Sequence, residues 1–372
     1  MNFDNWYRSV YNNIKLKLGK DILLLSFGET GVVDHENIFR IGNGEPKHFV
    51  PAVRNITPEI VMLDCEPNSN LDTIVEVLNL KDPATVGNHR PFLVYAVSDK
   101  NNPKVDEILK IKRSTGDITP VFSWYYFVHA FIALDWYREY EFYNEKDLLK
   151  NKTFDYDFIT MNRLVSGPRN YRLALMAELE QRGITKNALV SYTRCEEDSF
   201  AIPVYVAEKI KKYCNETKRF DLIGDVIDNQ SMHINLESHL SSFFNLVTET
   251  CFYENFNHLT EKVFRPIVMM QPFVLASTTN SLEYLKSYGF KTFDHWIDES
   301  YDKIKNPFKR IEAIADVIQY ISSLSKEQQQ AMFNEMLPTL LYNRRHFYKN
   351  LYDIVYKEMW DNFNDIIVNV KP

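Results

Sequence analysis

Short, unbroken apolar runs alternate along this chain with longer stretches in which apolar residues recur at helical spacing. Ile22-Leu23-Leu24-Leu25-Ser26-Phe27, opened by Asp21 and ended by Gly28, predicts a buried strand that empties into a loop. Glu59 to Asp64 and Phe92 to Val97 repeat the pattern. Runs without polar alternation imply burial on both faces, and hence a parallel sheet covered by helices. The segment from Ser123 to Lys150 predicts one long aromatic helix, whose rings are expected to face inward. The polar stretch from Asn144 to Lys152, after the core of that helix, predicts a domain boundary.

Beyond that boundary, strands and helices are expected to alternate regularly, the signature of a doubly wound α/β domain. Predicted strands are Phe154 to Thr160, Asn187 to Tyr192, Phe220 to Ile223, Phe243 to Thr248 and Pro272 to Ala276. Predicted helices are Asn170 to Arg182 with Gly183 as its stop, Pro203 to Cys214, one opened by Thr260, and Ser281 to Tyr288 closed by Gly289. The tail is helical. Ile311, Ile314, Val317, Ile318 and Ile321 recur at helical spacing, Ser325 and Gln328 form a capping box, and Pro338 is expected to kink or split the helix that Ser325 opens. The organisation predicted is an α/β fold with two Rossmann-like domains, 1–150 and 151–305, and a helical C-terminal tail over 306–372.

Composition narrows the classes. With 45% hydrophobic and 25% charged residues the chain is an ordinary globular protein, and its 11 glycines leave no room for a collagenous or long disordered tract. A formal charge of −7 offers no global attraction to a polyanion; Lys104, Lys110, Lys112 and Arg113 form a local basic cluster. Cys65, Cys195, Cys214 and Cys251 lack metal-ligand or disulfide-framework spacing, which fits a reducing compartment. The histidines show no paired spacing for zinc. Met1 to Lys20 is too polar for a signal peptide, and no apolar run approaches the roughly 20 residues of a membrane span. A cytoplasmic location is expected, in a cell or an infected host.

The candidate chemistry lies after predicted strands, where ligands bind in open α/β sheets. Glu249 ends one strand. Thr260 is placed to cap the next helix, Glu261 in its first turn can accept bonds from sugar hydroxyls, and Lys262 can approach a diphosphate. By themselves these three also fit plain helix capping. Upstream, Asn162 and Arg163 come after a strand, and Pro168-Arg169-Asn170-Tyr171-Arg172 opens a helix; Arg169 or Arg172 suits a departing diphosphate because its planar fork donates two bonds and keeps its charge.

In order, Phe158 to Arg163, Pro168 to Arg172, Val247-Thr248-Glu249-Thr250, Thr260-Glu261-Lys262, Gln271-Pro272-Phe273, Tyr288 to Phe293 and Glu299 to Asp302 resemble the C-terminal domain of a group of GT-B-like glycosyltransferases. That group is common in phages and large viruses and shares a Thr-Glu-Lys signature with fucosyltransferases. The resemblance covers roughly Asp157 to Asp302 and implies a nucleotide-diphosphate sugar as donor, with no further cofactor. It implies donor binding by Asn162, Arg169, Arg172, Glu249, Thr260, Glu261 and Lys262, inversion more often than retention, and final helices that return across the N-terminal domain. This chain has Asn170 near where many relatives carry His, so a role of that His is not carried over.

An inverting transfer needs a base, which in GT-B enzymes comes from the N-terminal domain. The candidates are Glu66 first and Glu29 second, with Asp64 and Asp99 behind them, because each comes at or after the end of a predicted strand. Asp64-Cys65-Glu66 and Asp155-Tyr156-Asp157 resemble the D-x-D triplet that holds a divalent cation on a nucleotide diphosphate, but Asp155 and Asp157 enter their strand at the end away from ligands and are expected on an exposed strand edge. No metal site is therefore expected; Arg169, Arg172 and Lys262 would supply the positive charge instead. The expected function is transfer of a sugar to an acceptor hydroxyl, on a glycan or on a hydroxymethylated base of viral DNA. The competing class is a catalytically silent nucleotide- or glycan-binding module.

Overall fold

The computed structural model describes residues 22–27, 38–41, 60–65, 92–97 and 121–370, apart from 163–164, 166 and 193–232, together with positions 13, 16, 17, 100 and 102. The chain forms two compact units: Met1–Val128 with Val355–Pro372, and His129–Ile354.

The first unit is built on a five-stranded sheet in the order β2-β1-β3-β4-β5. Its strands are β1 (Ile22–Phe27), β2 (Ile38–Ile41), β3 (Ile60–Cys65), β4 (Phe92–Val97) and β5 (Val121–Tyr125), all parallel. The apolar runs therefore pair as expected. Two strands were not expected from the sequence: the four-residue β2, and β5, which occupies the start of the predicted aromatic helix. Beta-branched and aromatic side chains favour a pleated conformation only when a partner strand is available, and β4 supplies it through the Leu93–Val121 register. Trp124 is buried, stacks on Tyr126, and donates its indole N–H to the Met359 carbonyl at 3.0 Å.

The rest of the aromatic segment is broken as well. It continues as α1 (Val128–Trp136), a 3-10 turn (Arg138–Phe142) and α2 (Glu145–Lys150), which Asn144 caps from its side chain. Phe127, Phe131 and Tyr137 are buried, in keeping with rings that face inward, whereas Phe142 is 87% exposed.

Among the described residues the second unit carries a four-stranded parallel sheet in the order β7-β6-β8-β9, comprising β6 (Tyr156–Asn162), β7 (Ala188–Tyr192), β8 (Ser242–Thr248) and β9 (Phe273–Ala276). Its helices are α3 (Tyr171–Gln181), α4 (Leu236–Leu240), α5 (Glu261–Val268) and α6 (Ser281–Ser287), then α7 (Pro307–Ser323) and α8 (Lys326–Lys349). Helix α9 (Leu351–Val370) starts in this unit and belongs to the first from Val355 onward. Every residue of β8 is buried, as a strand covered on both faces requires. The apolar stripe of α7 is the one read from the sequence: Ile311, Ile314, Val317, Ile318 and Ile321 are all buried. Gly289, just past α6, has φ +90°, and a Cβ there would meet the His346 ring at 2.7 Å, so glycine is required at that stop.

Two further expectations are corrected. Helix α8 runs unbroken through Pro338, and the chain breaks at Asn350 instead. Pro338 and Asn334, one turn before it, are exposed, so the lost amide bond falls on the solvent side, while Phe333, Met336 and Leu340 anchor the opposite face. Asp157, expected on an exposed strand edge, is buried and accepts bonds from Asn187, Lys326 and Gln329. The predicted elements Pro203 to Cys214 and Phe220 to Ile223 lie outside the described residues. Among the described residues no helix is long and apolar enough to cross a membrane.

Candidate functional site

The strand order of the second sheet reverses direction between β6 and β8, because β6 has β7 on one side and β8 on the other. At such a reversal the connections leaving the strands diverge and open a crevice at their carboxyl ends. Parallel pairing of Ile159 with Asn245 brings Asn162 level with Thr248 there, and the Thr248 hydroxyl donates to Asn162 Oδ1 at 2.6 Å. Asn162 Nδ2 in turn reaches the Thr160 hydroxyl at 3.3 Å. All three side chains are buried, so Asn162 is held rigidly at the reversal.

Glu249 is the next residue on the chain after β8 and is fully buried. Its carboxylate accepts from the Thr260 amide at 3.1 Å and from the Thr260 hydroxyl at 2.5 Å. Thr260 is the N-cap of α5, and its hydroxyl oxygen also faces the Lys262 amide and the Lys262 ammonium, the latter at 3.0 Å. The capping reading of Thr260 is thus correct, with a buried acid added behind it. Lys262 Nζ lies 2.9 Å from Glu261 Oε1.

On the other side of Glu261, Oε2 is 3.4 Å from Nδ1 of His129, in the first turn of α1. The His129 ring meets His258 edge to face with centroids 5.0 Å apart. Burial alone would raise the Glu261 pKa, but Lys262 and His129 together outweigh it and hold the carboxyl well below the usual carboxylate range. Tyr137, buried behind this group, is pushed up to about 12 by burial, against the opposing effect of Arg265. His129, His258, Tyr137 and Arg265 were not marked as site residues by the sequence. No spacing could have marked His129, since it comes from an element far away along the chain.

Arg172 differs from the phosphate-facing residue that the sequence suggested. It is buried, and its Nη2 donates to the carbonyls of Thr248 and Glu249, both at 2.9 Å. The neighbouring Tyr171 hydroxyl lies 2.6 Å from the Glu249 carbonyl. Tyr171 stacks on Phe252 at 4.1 Å, and the Arg310 guanidinium lies over the Phe252 ring at 4.2 Å. The first turn of α3 is therefore a clamp on the outlet of β8. Arg169 ends a 3-10 turn (Gly167–Arg169), is partly exposed, and makes no hydrogen bond or ion pair with any described residue. Asn170 accepts a bond from Tyr253 at 2.6 Å.

The last motif, Glu299 to Asp302, supports the architecture. Glu299 accepts from the Thr292 hydroxyl and the Phe293 amide, Tyr301 offers its phenol oxygen to the Leu275 amide of edge strand β9, and Asp302 accepts from the Leu282 amide at the start of α6. Burial lifts the Asp302 carboxyl to about 6. Among the described residues no three His, Cys, Asp or Glu side chains are grouped to hold a metal ion. Glu29, Glu66, Asp99 and the basic cluster Lys104, Lys110, Lys112 and Arg113 lie outside the described residues; Asp64 falls within β3.

The structure thus joins Asn162, Thr248, Arg172, Glu249, Thr260, Lys262 and Glu261 in one bonded chain at the carboxyl ends of β6 and β8, with His129 Nδ1 3.4 Å from its last carboxylate and Arg169 standing apart. No protein-family model matches this chain, and no curated protein matches it. Solved structures similar to it include a glycosyltransferase from Rickettsia africae, at 12% identity, TM-score 0.39, with 91% of this chain and 90% of that one covered. A UDP-forming α,α-trehalose-phosphate synthase from Burkholderia xenovorans is similar at 7% identity and TM-score 0.39, with 87% and 77% covered. A trehalose-6-phosphate protein from E. coli bound with UDP-2-fluoro glucose is similar at 11% identity and TM-score 0.38, with 93% and 95% covered.

Proposed function

We propose that this chain is a GT-B-like glycosyltransferase that moves a sugar from a nucleotide-diphosphate donor to an acceptor hydroxyl. The observation that carries this reading is the first turn of α5. A carboxylate, Glu261, and an ammonium, Lys262, are fixed side by side at the outlet of the central strands by the Glu249–Thr260 lock. Such a pair matches the two ends of a nucleotide sugar, since an acid grips hydroxyls and a cation neutralises phosphate. Arg169, partly exposed and bonded to no described residue, is the second cation assigned to the diphosphate. Arg172 is assigned to positioning: it holds the β8 outlet that carries Glu249.

In the reaction, a base takes the acceptor proton and the acceptor oxygen attacks the anomeric carbon from the face opposite the donor phosphate. The carbon–oxygen bond to phosphate breaks, and the nucleoside diphosphate leaves with the electron pair. Inversion results from that single displacement, and Lys262 and Arg169 stabilise the departing charge without an obligatory metal. The base is assigned to Glu66 or Glu29 of the first unit, which also takes the acceptor. The acceptor is a glycan or a hydroxymethylated base in viral DNA.

The test is a panel of uridine and guanosine diphosphate sugars, with and without a chelator, assayed for binding by calorimetry and for transfer or hydrolysis. Absence of binding by every nucleotide sugar ends this reading. Binding without turnover for any acceptor tried, with Glu66→Gln and Glu29→Gln behaving as wild type, identifies a silent binding module instead. Incubation with hydroxymethylated and plain DNA separates the acceptors.

A further inference from the structure

Glu261 is gripped from two directions, and only one of them belongs to its own helix. Lys262 holds Oε1 from within α5, whereas Oε2 faces Nδ1 of His129 from α1 at 3.4 Å. The His129 ring is backed edge to face by His258, from the connection that joins β8 to α5. His258 is itself 1% exposed, so the ring stack leaves His129 little freedom to turn away. Among the described residues, Tyr137 and Arg265 also face this group, and Glu249 is bonded to Thr260, the residue before Glu261. Partners on both oxygens, from two different elements, restrict the three rotatable bonds of this side chain to one orientation. His129 is the second partner.

We propose that His129 is a positioning residue for the donor site, holding Glu261 ionised and oriented so that it can accept hydroxyl bonds from the sugar or ribose. This rests on the donor-binding reading of Glu261. A histidine is positively charged in the acid range, where a carboxylate would otherwise take up its proton. Removal of His129 withdraws one of the two influences that keep the Glu261 carboxyl low, so its titration moves up in pH. Donor binding that depends on the carboxylate is then lost at a higher pH than in the wild type.

The experiment compares wild type, His129→Ala, His129→Gln and Glu261→Gln. Donor affinity is measured by calorimetry from about pH 3 to about pH 8, a range that brackets the ordinary carboxyl and imidazole titrations, with the nucleotide sugar that binds wild type best. His129→Ala is expected to weaken binding by about tenfold, as for loss of a close, partly buried charge contact, and to move the acid limb to higher pH. His129→Gln keeps a donor without a charge, so it restores part of the neutral-pH affinity but not the acid limb. In Glu261→Gln the acid limb disappears. Identical affinity and pH profile in wild type and both His129 variants overturn the proposal. Titration of the Glu261 side-chain carboxyl by carbon-13 NMR reads the same contact in the free protein. An upward move in His129→Ala supports the contact, and an unchanged titration overturns it. A wild type that binds no nucleotide sugar but shows that upward move sinks the proposed function while leaving the His129–Glu261 coupling in place.

Discussion

Both carboxylate oxygens of Glu249 are engaged by one residue, Thr260: its amide lies 3.1 Å from Oε1 and its hydroxyl 2.5 Å from Oε2. Strand β8 and helix α5 are thereby tied across the connection between them, and the bond is fully buried. Thr260→Val keeps the shape but leaves one carboxylate oxygen without its hydroxyl partner. It is expected to destabilise the protein by about 1–3 kcal/mol, the cost of a buried charged acceptor left short of a bond. Denaturant unfolding measures this. A wild-type midpoint would show that the lock does not hold α5.

Lys152 presents a different situation, because its ammonium is buried without a hydrogen-bond partner among the described residues and lies over the Phe333 ring at 5.6 Å. Burial pushes its pKa down to about 7. The folded state therefore binds this proton less tightly than the unfolded chain, so the residue costs stability below that pH and the cost fades as pH rises towards 10.5. Lys152→Met fills the same space without the charge and is expected to raise stability at about pH 6 by about 1–4 kcal/mol. The gain should shrink at about pH 9, inside the window between the folded and unfolded titrations. Equal gains at both pH values would contradict the assignment.

Asp302 titrates in the opposite sense from a surface acid. Burial lifts it to about 6 from 3.8, against the pull of the Leu282 and Ser281 amides. Protonation is thus easier in the folded state, and the stability that Asp302 contributes is lost as pH rises from about 4 to about 6. A rise of that size corresponds to about 3 kcal/mol at most. Asp302→Asn, neutral at every pH, should flatten this part of the stability profile while retaining an oxygen for the Leu282 amide. Thermal melts between about pH 4 and about pH 7 would decide it, and a profile as steep as that of wild type would remove Asp302 from the account.

The two arginines at the start of α3 should separate cleanly. Arg172→Ala removes the guanidinium from two buried carbonyls, of which Glu249 keeps the Tyr171 hydroxyl, and is expected to lower stability by about 1–3 kcal/mol, with donor affinity falling as a consequence. Arg169→Ala touches no internal bond among the described residues, so unfolding should be unchanged within about 0.5 kcal/mol while donor affinity drops. Paired unfolding and binding curves test both. Loss of stability in Arg169→Ala, with intact donor binding, would reverse the roles.

Much of the second sheet could be read along the chain because its strands are buried on both faces and its helices carry local stops. Glu249, Thr260, Glu261 and Lys262 were marked by their place after a strand and at a helix start, and the structure does bind them together. The aromatic segment was misjudged as one helix because periodicity cannot tell whether Val121–Tyr125 has a neighbouring strand to pair with. The surroundings of Arg172 were illegible for a similar reason. Its residue type suits phosphate, and only the fold shows that its Nη2 donates to two carbonyls at the end of β8.

By itself the sequence determined the local quantities: which runs are apolar enough to be strands, where α5 and α8 are capped, and which α7 face is buried, since each depends on residues within a few positions of one another. Tertiary structure alone decided that His129 faces Glu261, that Asp157 is buried under Lys326 and Gln329, and that Asn162 stands level with Thr248. Those contacts join residues separated by 86 to 172 positions, and their energy comes from burial and charge brought together by folding, which no local pattern encodes.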